Sequence, residues 1–301
     1  MPRPPLPLCC AFLALAGNGR SADQPSSGEL PPLIRQLTSQ AGRFWRSAPY
    51  WYCRETLRQR GPGQRKLRHG IHFSEPASQP SPSEPASREI VSWYGFSAYT
   101  ANSEAVHEMR QIVSVDGKPV SGGPSPDDFC RLLLARDDNS KHSLVEKFQA
   151  ATLGDVPFDF GQLVLLFTRR AIDRFSFTLK GSDLIGAQRV TVFQYSQNAG
   201  TPALHLDRNK TLPLAGTLSL REPDGAPVRI TVVATRKDKV EIRDEAVVDY
   251  EEVAHGVILP ASLVHQRFVN GAIHGDDRAQ YADWKPVPGV QTTTVKTTNA
   301  K

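Results

Sequence analysis

From Asp173 almost to its end the chain is written in short runs that alternate apolar and polar side chains, separated by turn residues. That pattern limits the fold more than anything else in the sequence. Alternation with period two puts one apolar face on each strand, and short polar turns join consecutive strands into antiparallel meanders rather than βαβ units. In Arg174–Leu179 the side chains of Phe175, Phe177 and Leu179 share a face, and Gly181-Ser182-Asp183 reads as the turn that follows. Ala187–Ser196 places Phe193 and Tyr195 together. Leu214–Arg221, which carries Leu218, then alternates, turns through Glu222–Pro227, and returns as Val228–Thr235. After Lys237-Asp238 the run Val240–Val253 pairs with Val257–Phe268 across His255-Gly256, and Tyr281–Trp284 reads as a closing edge strand. So many twisted strands do not stay flat. The expected product is a curved sheet with an apolar concave side.

The first half mixes strands with helices. Pro31–Trp45 has Leu33, Ile34, Leu37, Ala41 and Phe44 at helical spacing, with proline at the tolerated first turn. Trp51–Arg60, Lys66–Phe73, Arg88–Gly95 and Val106–Val115 read as strands. Ser125-Pro126-Asp127-Asp128 is a helix start: a capping hydroxyl, a proline, then acids at the positive end of the dipole. Ser143–Ala151 continues as helix, and Gln162–Phe167 fits strand or helix. The fold class is therefore α+β, a curved antiparallel half-barrel with two or three helices over its concave face. Between Ser74 and Ser87 the sequence Ser-Glu-Pro-Ala-Ser occurs twice among four prolines, which predicts a mobile loop inside the domain rather than a boundary.

The N-terminus reads as a secretory signal. Arg3 precedes an apolar stretch from Leu6 to Gly17, too short to span a bilayer, with cleavage after Ala16 or Ala22. The organisation expected is a signal over 1–22, a polar tether over 23–30, one β-rich domain over 31–285 and a flexible tail over 286–301. Cleavage after Ala22 removes Arg3 and Arg20 and lowers the formal charge from +5 to +3. The remaining basic residues are scattered, which argues against nucleic acid as a partner. Export leaves Cys53 and Cys130 as an even pair, which invites a disulfide worth about 4 kcal/mol; the alternative is two buried thiols.

Strands, a helical insert and a long meander, in that order, resemble the LolA/LolB-like superfamily of lipoprotein-carrier half-barrels of the bacterial envelope. Two phrases carry the resemblance: Leu214-Ala-Gly-Thr-Leu-Ser-Leu-Arg-Glu-Pro-Asp-Gly-Ala-Pro-Val-Arg-Ile230, and Val248-Asp-Tyr-Glu-Glu-Val-Ala-His-Gly-Val-Ile-Leu-Pro260. It implies a periplasmic or otherwise exported protein with a hydrophobic cavity for acyl chains, and it transfers no individual residue role.

Catalytic signatures do not emerge. No HExxH, CxxC, Walker A, GxGxxG or GxSxG string is present, and no cofactor is expected. His69 and His72 lack a clear third ligand, and a hydrolase would need His69, His72 or His107 to cluster with carboxylates in a cleft. The acidic pairs Asp127-Asp128, Asp137-Asp138, Glu251-Glu252 and Asp276-Asp277 read as solvated faces, turns and caps, since neighbouring strand residues face opposite ways. The expectation is a non-enzymatic binding protein for an apolar or lipid-like ligand, with Phe175, Phe177, Phe193, Tyr195 and Leu218 facing it and at most peripheral membrane contact. Two rivals remain: an envelope module that docks a partner protein, and a hydrolase with an unrecognised site.

Overall fold

The computed structural model describes residues 30–61, 86–100, 102–153, 159–199, 213–237, 240–254 and 256–290. The readings that fall on Lys66–Phe73, on most of the Pro-rich loop, on His69, His72 and His255, and on the signal and tether before Leu30 lie outside them. Helix α1 spans Pro32–Ser47 and leads through a 3-10 turn into β1 (Trp51–Gly61). Strands β2 (Ala86–Tyr99), β3 (Asn102–Val115) and β4 (Lys118–Pro119) follow, then α2 (Pro126–Leu134) and α3 (Asp138–Ala151). Short 3-10 turns at Leu163–Phe167 and Ile172–Arg174 precede the meander. That meander comprises β5 (Phe175–Ile185), β6 (Gln188–Gln197), β7 (Leu214–Arg221), β8 (Pro227–Lys237), β9 (Glu241–Ala254), β10 (Val257–Val269) and β11 (Ala272–Pro286).

All eleven strands form one antiparallel sheet in the order β4-β3-β2-β1-β11-β10-β9-β8-β7-β6-β5. It is open, an α+β half-barrel with β4 and β5 at its edges. The pairing of β1 with β11 joins the early strands to the late meander. Tyr281–Trp284 thus belongs to the long strand β11, which stands between β10 and β1 in the order; this end of it pairs with β1, and the register with β10 stops at Gln280. The expected turn at Gly181-Ser182-Asp183 is also corrected. Those residues lie inside β5, where the register shifts between Leu179 and Gly181 and Gly181 has φ +131°, so the glycine serves a bulge while the chain reverses at Gly186. At the far end β11 runs on to Pro286, and Val287 is buried with its N–H on Tyr50 O.

Helix α1 buries Ile34, Leu37, Ala41 and Phe44, the stripe that its spacing predicts. It packs on β10, sets Phe44 edge-on to Phe96 of β2 at 5.2 Å, and is tied to the β7–β8 turn by Gln40 Nε2 donating to Asp224 O (3.1 Å). The face beneath it is called the inner face. Helix α2 is capped as expected, with the Ser125 hydroxyl accepting from Asp128 N–H. It packs on the outer face of β1–β3, where Tyr52, Met109, Phe129, Cys130 and Leu133 form a separate apolar cluster.

That division corrects the disulfide. Cys53 and Cys130 are free, buried thiols. Cys53 pairs across the ladder with Tyr94 of the inner face, whereas Cys130 lies in the cluster of Tyr52, the preceding residue, whose side chain points the other way. The sheet itself stands between the two sulfurs.

Candidate functional site on the inner face

The ladder registers align one continuous transverse row on the inner face. Leu179 opposes Phe193, Phe193 opposes Leu218, Leu218 opposes Ile230, and Ile230 opposes Val248. The row continues through Leu263, Ala279 and Leu57 to Ile90. From Phe193 to Ile90 every member is buried. Directly opposed side chains on one face are the packing unit of a sheet, so period-two alternation in nine strands adds up to a continuous apolar row on the inner face.

The five residues expected to face a ligand come together here. Phe193 and Leu218 are cross-strand partners in the row, and Tyr195 opposes Phe177 one step along. Phe167, from the 3-10 turn, sits among Phe175, Phe177 and Tyr195, with ring centroids 5.3, 6.2 and 5.0 Å away. Tyr195 is buried to the tip, its hydroxyl donating to Thr231 O (2.8 Å), and burial pushes its phenol well up.

Sequence reasoning missed the polar half of this face. Arg110 is buried between two buried carboxylates: Nε donates to both oxygens of Glu55 (3.0 and 2.8 Å), and Nη1 lies 2.8 Å from Glu108 Oε2. Its guanidinium also lies 4.9 Å from the ring centroids of Tyr94 and Phe148. Burial opposes the arginine's charge, but Glu108 and Glu55 outweigh it and hold Arg110 protonated. Burial pushes the Glu55 carboxyl up, against the pull of Arg110. Further along, His265 Nδ1 meets Asp277 (3.0 Å) and Nε2 meets Asp244 (3.0 Å), while Arg267 donates to Asp244 (2.8 Å) and Gln59 to Asp277 (2.8 Å). Burial works against charge on His265, yet the bonds to Asp244 and Asp277 prevail and raise its pKa. Asp277 is therefore no solvated acid: it is only 5% exposed, and the reading of Asp276-Asp277 as a surface pair is corrected. The only sequence signal for it was its odd position relative to Ala279 and Tyr281, which shares their inward phase.

The other acids behave as expected. Asp137 caps α3, and Glu252 accepts from Arg221 and from Gly256 N–H. His107 Nδ1 pairs with Asp159 Oδ2 (3.1 Å), which raises its pKa. Among the described residues no group of three or more His, Cys, Asp or Glu side chains has an arrangement that could hold a metal ion.

The sequence matches no family model and no curated protein. Among solved structures, the chain is similar to a DUF1329 family protein from Desulfovibrio piger: 6% identity over 87% of this chain and 95% of the other, TM-score 0.38. It is also similar to a LolA superfamily protein from Nitrosomonas europaea (10% identity, 84% and 93% covered, TM-score 0.32). A third is the Mycobacterium tuberculosis lipoprotein LppX (11% identity, 87% and 98% covered, TM-score 0.29). The roles of individual side chains rest on the contacts above.

Proposed function

We propose that this protein is an exported, non-enzymatic carrier that takes up an apolar, lipid-like ligand on the inner face of its half-barrel. The observation that supports the reading is the continuous apolar row from Phe193 to Ile90, with Phe175, Phe177 and Tyr195 at one end of it. An open sheet with an apolar concave floor gives hydrocarbon a place to lie, and a groove of that kind recognises shape and apolarity rather than a reacting group. Export is supported by the N-terminal apolar stretch behind Arg3. Native mass spectrometry of protein purified from the cell envelope tests both parts. A co-purifying lipid on a chain that begins at Gly17 or Asp23 is the expected result. A ligand-free chain that also fails to take up added fatty acid rejects the carrier reading.

A second reading, a module that docks a protein partner, is favoured by the edge strand β5. Its side chains Leu179 and Leu184 are 62% and 65% exposed, far more than an isolated core strand would leave, and edge strands accept further strands readily. Replacing both leucines by lysine abolishes complex formation under this reading, measured by sedimentation with the candidate partner, and leaves lipid uptake intact.

A further inference from the structure

The chain leaves the sheet at β4, one edge, and re-enters it at β5, the other. The connection must therefore cross the whole width of the sheet, and part of it crosses on the inner face. Residues 159–167 form that strap. The turn from the β3 edge is made at Asp159, which has φ +66° and exchanges bonds with Glu108: Glu108 N–H donates to Asp159 Oδ1 (3.0 Å), and Asp159 N–H donates to Glu108 Oε2 (3.0 Å). Gly161 N–H adds a bond to Glu108 Oε1 (2.6 Å). Beyond this hook, Phe160 lies against the His265 ring at 5.4 Å, Val164 N–H donates to Tyr250 Oη (3.3 Å), and Phe167 fills the ring of Phe175, Phe177 and Tyr195.

The strap is unlike the rest of the interior. It is a 3-10 turn with local backbone bonds, Leu163 N–H to Phe160 O (3.1 Å) and Leu165 N–H to Gln162 O (2.8 Å), and it is not a member of the ladder. Phe160, Leu163, Val164, Leu166 and Phe167 are each no more than 8% exposed. An apolar chain thus lies on the inner face, packed against α1, with hydrogen bonds to the sheet at the Glu108 carboxylate and the Tyr250 phenol.

We propose that the strap is an internal occupant of the ligand groove, and that an acyl chain loads by displacing it about Asp159. The inference rests on the carrier reading. The strap occupies the inner face beside that row, against Tyr250, His265 and Tyr195, so a ligand laid along the face competes with it. The apparent affinity is then the intrinsic affinity reduced by the fraction of molecules with the strap out. Weakening the strap's seat raises that fraction and tightens binding, which is the opposite of what damage to an ordinary binding pocket does.

The test uses the full chain with cis-parinaric acid, a fluorescent fatty acid, and hydrogen exchange at the Gly161 and Val164 amides. Gly161→Ala would drive a Cβ into Tyr94 Oη and Glu108 Oε1 and so loosens the hook. Phe167→Ala weakens the other end and leaves Glu108 and Arg110 untouched. Both variants are expected to bind the probe about tenfold tighter or more than wild type, and loading is expected to remove protection at the two amides in every form. The exchange readout matters for Phe167→Ala, because a new apolar cavity binds small apolar guests without any strap movement. If wild type and folded variants bind equally and the amides stay protected when loaded, the strap is fixed core; the inference falls while the carrier reading stands. If the probe binds none of them, the carrier reading fails and displacement with it.

Discussion

The β6–β10 half of the inner face is filled by Phe193, Leu218, Ile230, Val248 and Leu263, whereas the β1–β3 half buries Glu55, Glu108 and Arg110 beside Tyr94. Both halves exclude water, but by different means. The first loses little when its members vary in shape, since its cohesion is area removed from water. The second is cooperative and unforgiving, because each charge is tolerable only while its partners stay in place. A half-barrel built this way has a yielding side and a rigid side. The strap is hooked to the rigid side at Glu108 and rests its apolar end, Phe167, on the yielding one.

The sharpest way to break this contrast is Arg110→Met. It leaves Glu55 and Glu108 buried without their counter-ion, which costs about 3–5 kcal/mol. Urea unfolding at pH 7 measures the loss. In acid the loss is expected to shrink, because a neutral carboxyl no longer needs the guanidinium and burial already pushes Glu55 toward that form. A loss that stays constant with pH would mean that packing of Arg110 against Tyr94 and Phe148, rather than charge, is what the triad supplies.

Ile230→Ala probes the other half. Ile230 is fully buried between Leu218 and Val248, and removal of such a side chain costs about 2–5 kcal/mol through lost transfer energy and a residual cavity. Unlike Arg110→Met, its effect is expected to be the same at pH 4.5 and pH 7. Equal pH profiles for the two variants would erase the distinction between the halves.

His265→Gln carries the comparison to the bridge between β9, β10 and β11, with an expected loss of about 2 kcal/mol near pH 6. The folded-state pKa of His265 is raised. Its stabilisation is therefore fully present below the unfolded value near 6.5 and fades as pH rises through the higher folded value. The imidazolium faces Asp244 from β9 and Asp277 from β11, and Arg267 from its own strand competes for Asp244. Asp244 itself is depressed; burial opposes this, and the bonds from His265 and Arg267 prevail. Its share is present above the usual carboxylate value and disappears as pH falls through the depressed one. Wild-type stability should thus decline on both limbs, and the variant should lose most of the alkaline decline. The remainder belongs to His107, whose bond to Asp159 raises its pKa in the same sense.

How much of this the sequence shows follows from the same two halves. Strands β6 to β10 alternate cleanly, so their phases, the Phe193–Tyr195 face and the hairpin at Gly256 are all legible. On β1 the inward phase is Cys53, Glu55, Leu57 and Gln59, a sequence that names no buried face. Glu55 is tolerable as an interior residue because Arg110 reaches it from β3, across the intervening β2. The strap was equally hidden. Gln162–Phe167 is too short for periodicity to separate strand from helix, and its course is fixed by topology, since β4 and β5 stand at opposite edges. Tyr281–Trp284 looked like an edge because pairing with β1, far away in the chain, leaves no local mark.

The smallest expected effect is a zero, and it bears on the sheet as a divider. A Cys53–Cys130 disulfide would contribute about 4 kcal/mol in the loop-closure picture, so its reduction would lower the unfolding midpoint sharply. With Cys53 on the inner face and Cys130 beside Tyr52 on the outer one, reductant is expected to change nothing, within about 0.5 kcal/mol. In denatured, non-reduced protein both Cys53 and Cys130 should take up a thiol reagent, scored by peptide mapping so that Cys9 and Cys10 are counted apart. In the native protein neither should react, because burial pushes the Cys130 thiol up to about 11 and the Cys53 thiol well above its ordinary value, and both lie out of reach of solvent. Rapid labelling of Cys130 alone in the native state would show that α2 lifts from the outer face. Rapid labelling of Cys53 would show that the inner face opens, and since Cys53 lies on the same face as the strap, its labelling rate on adding fatty acid reports whether loading exposes that face.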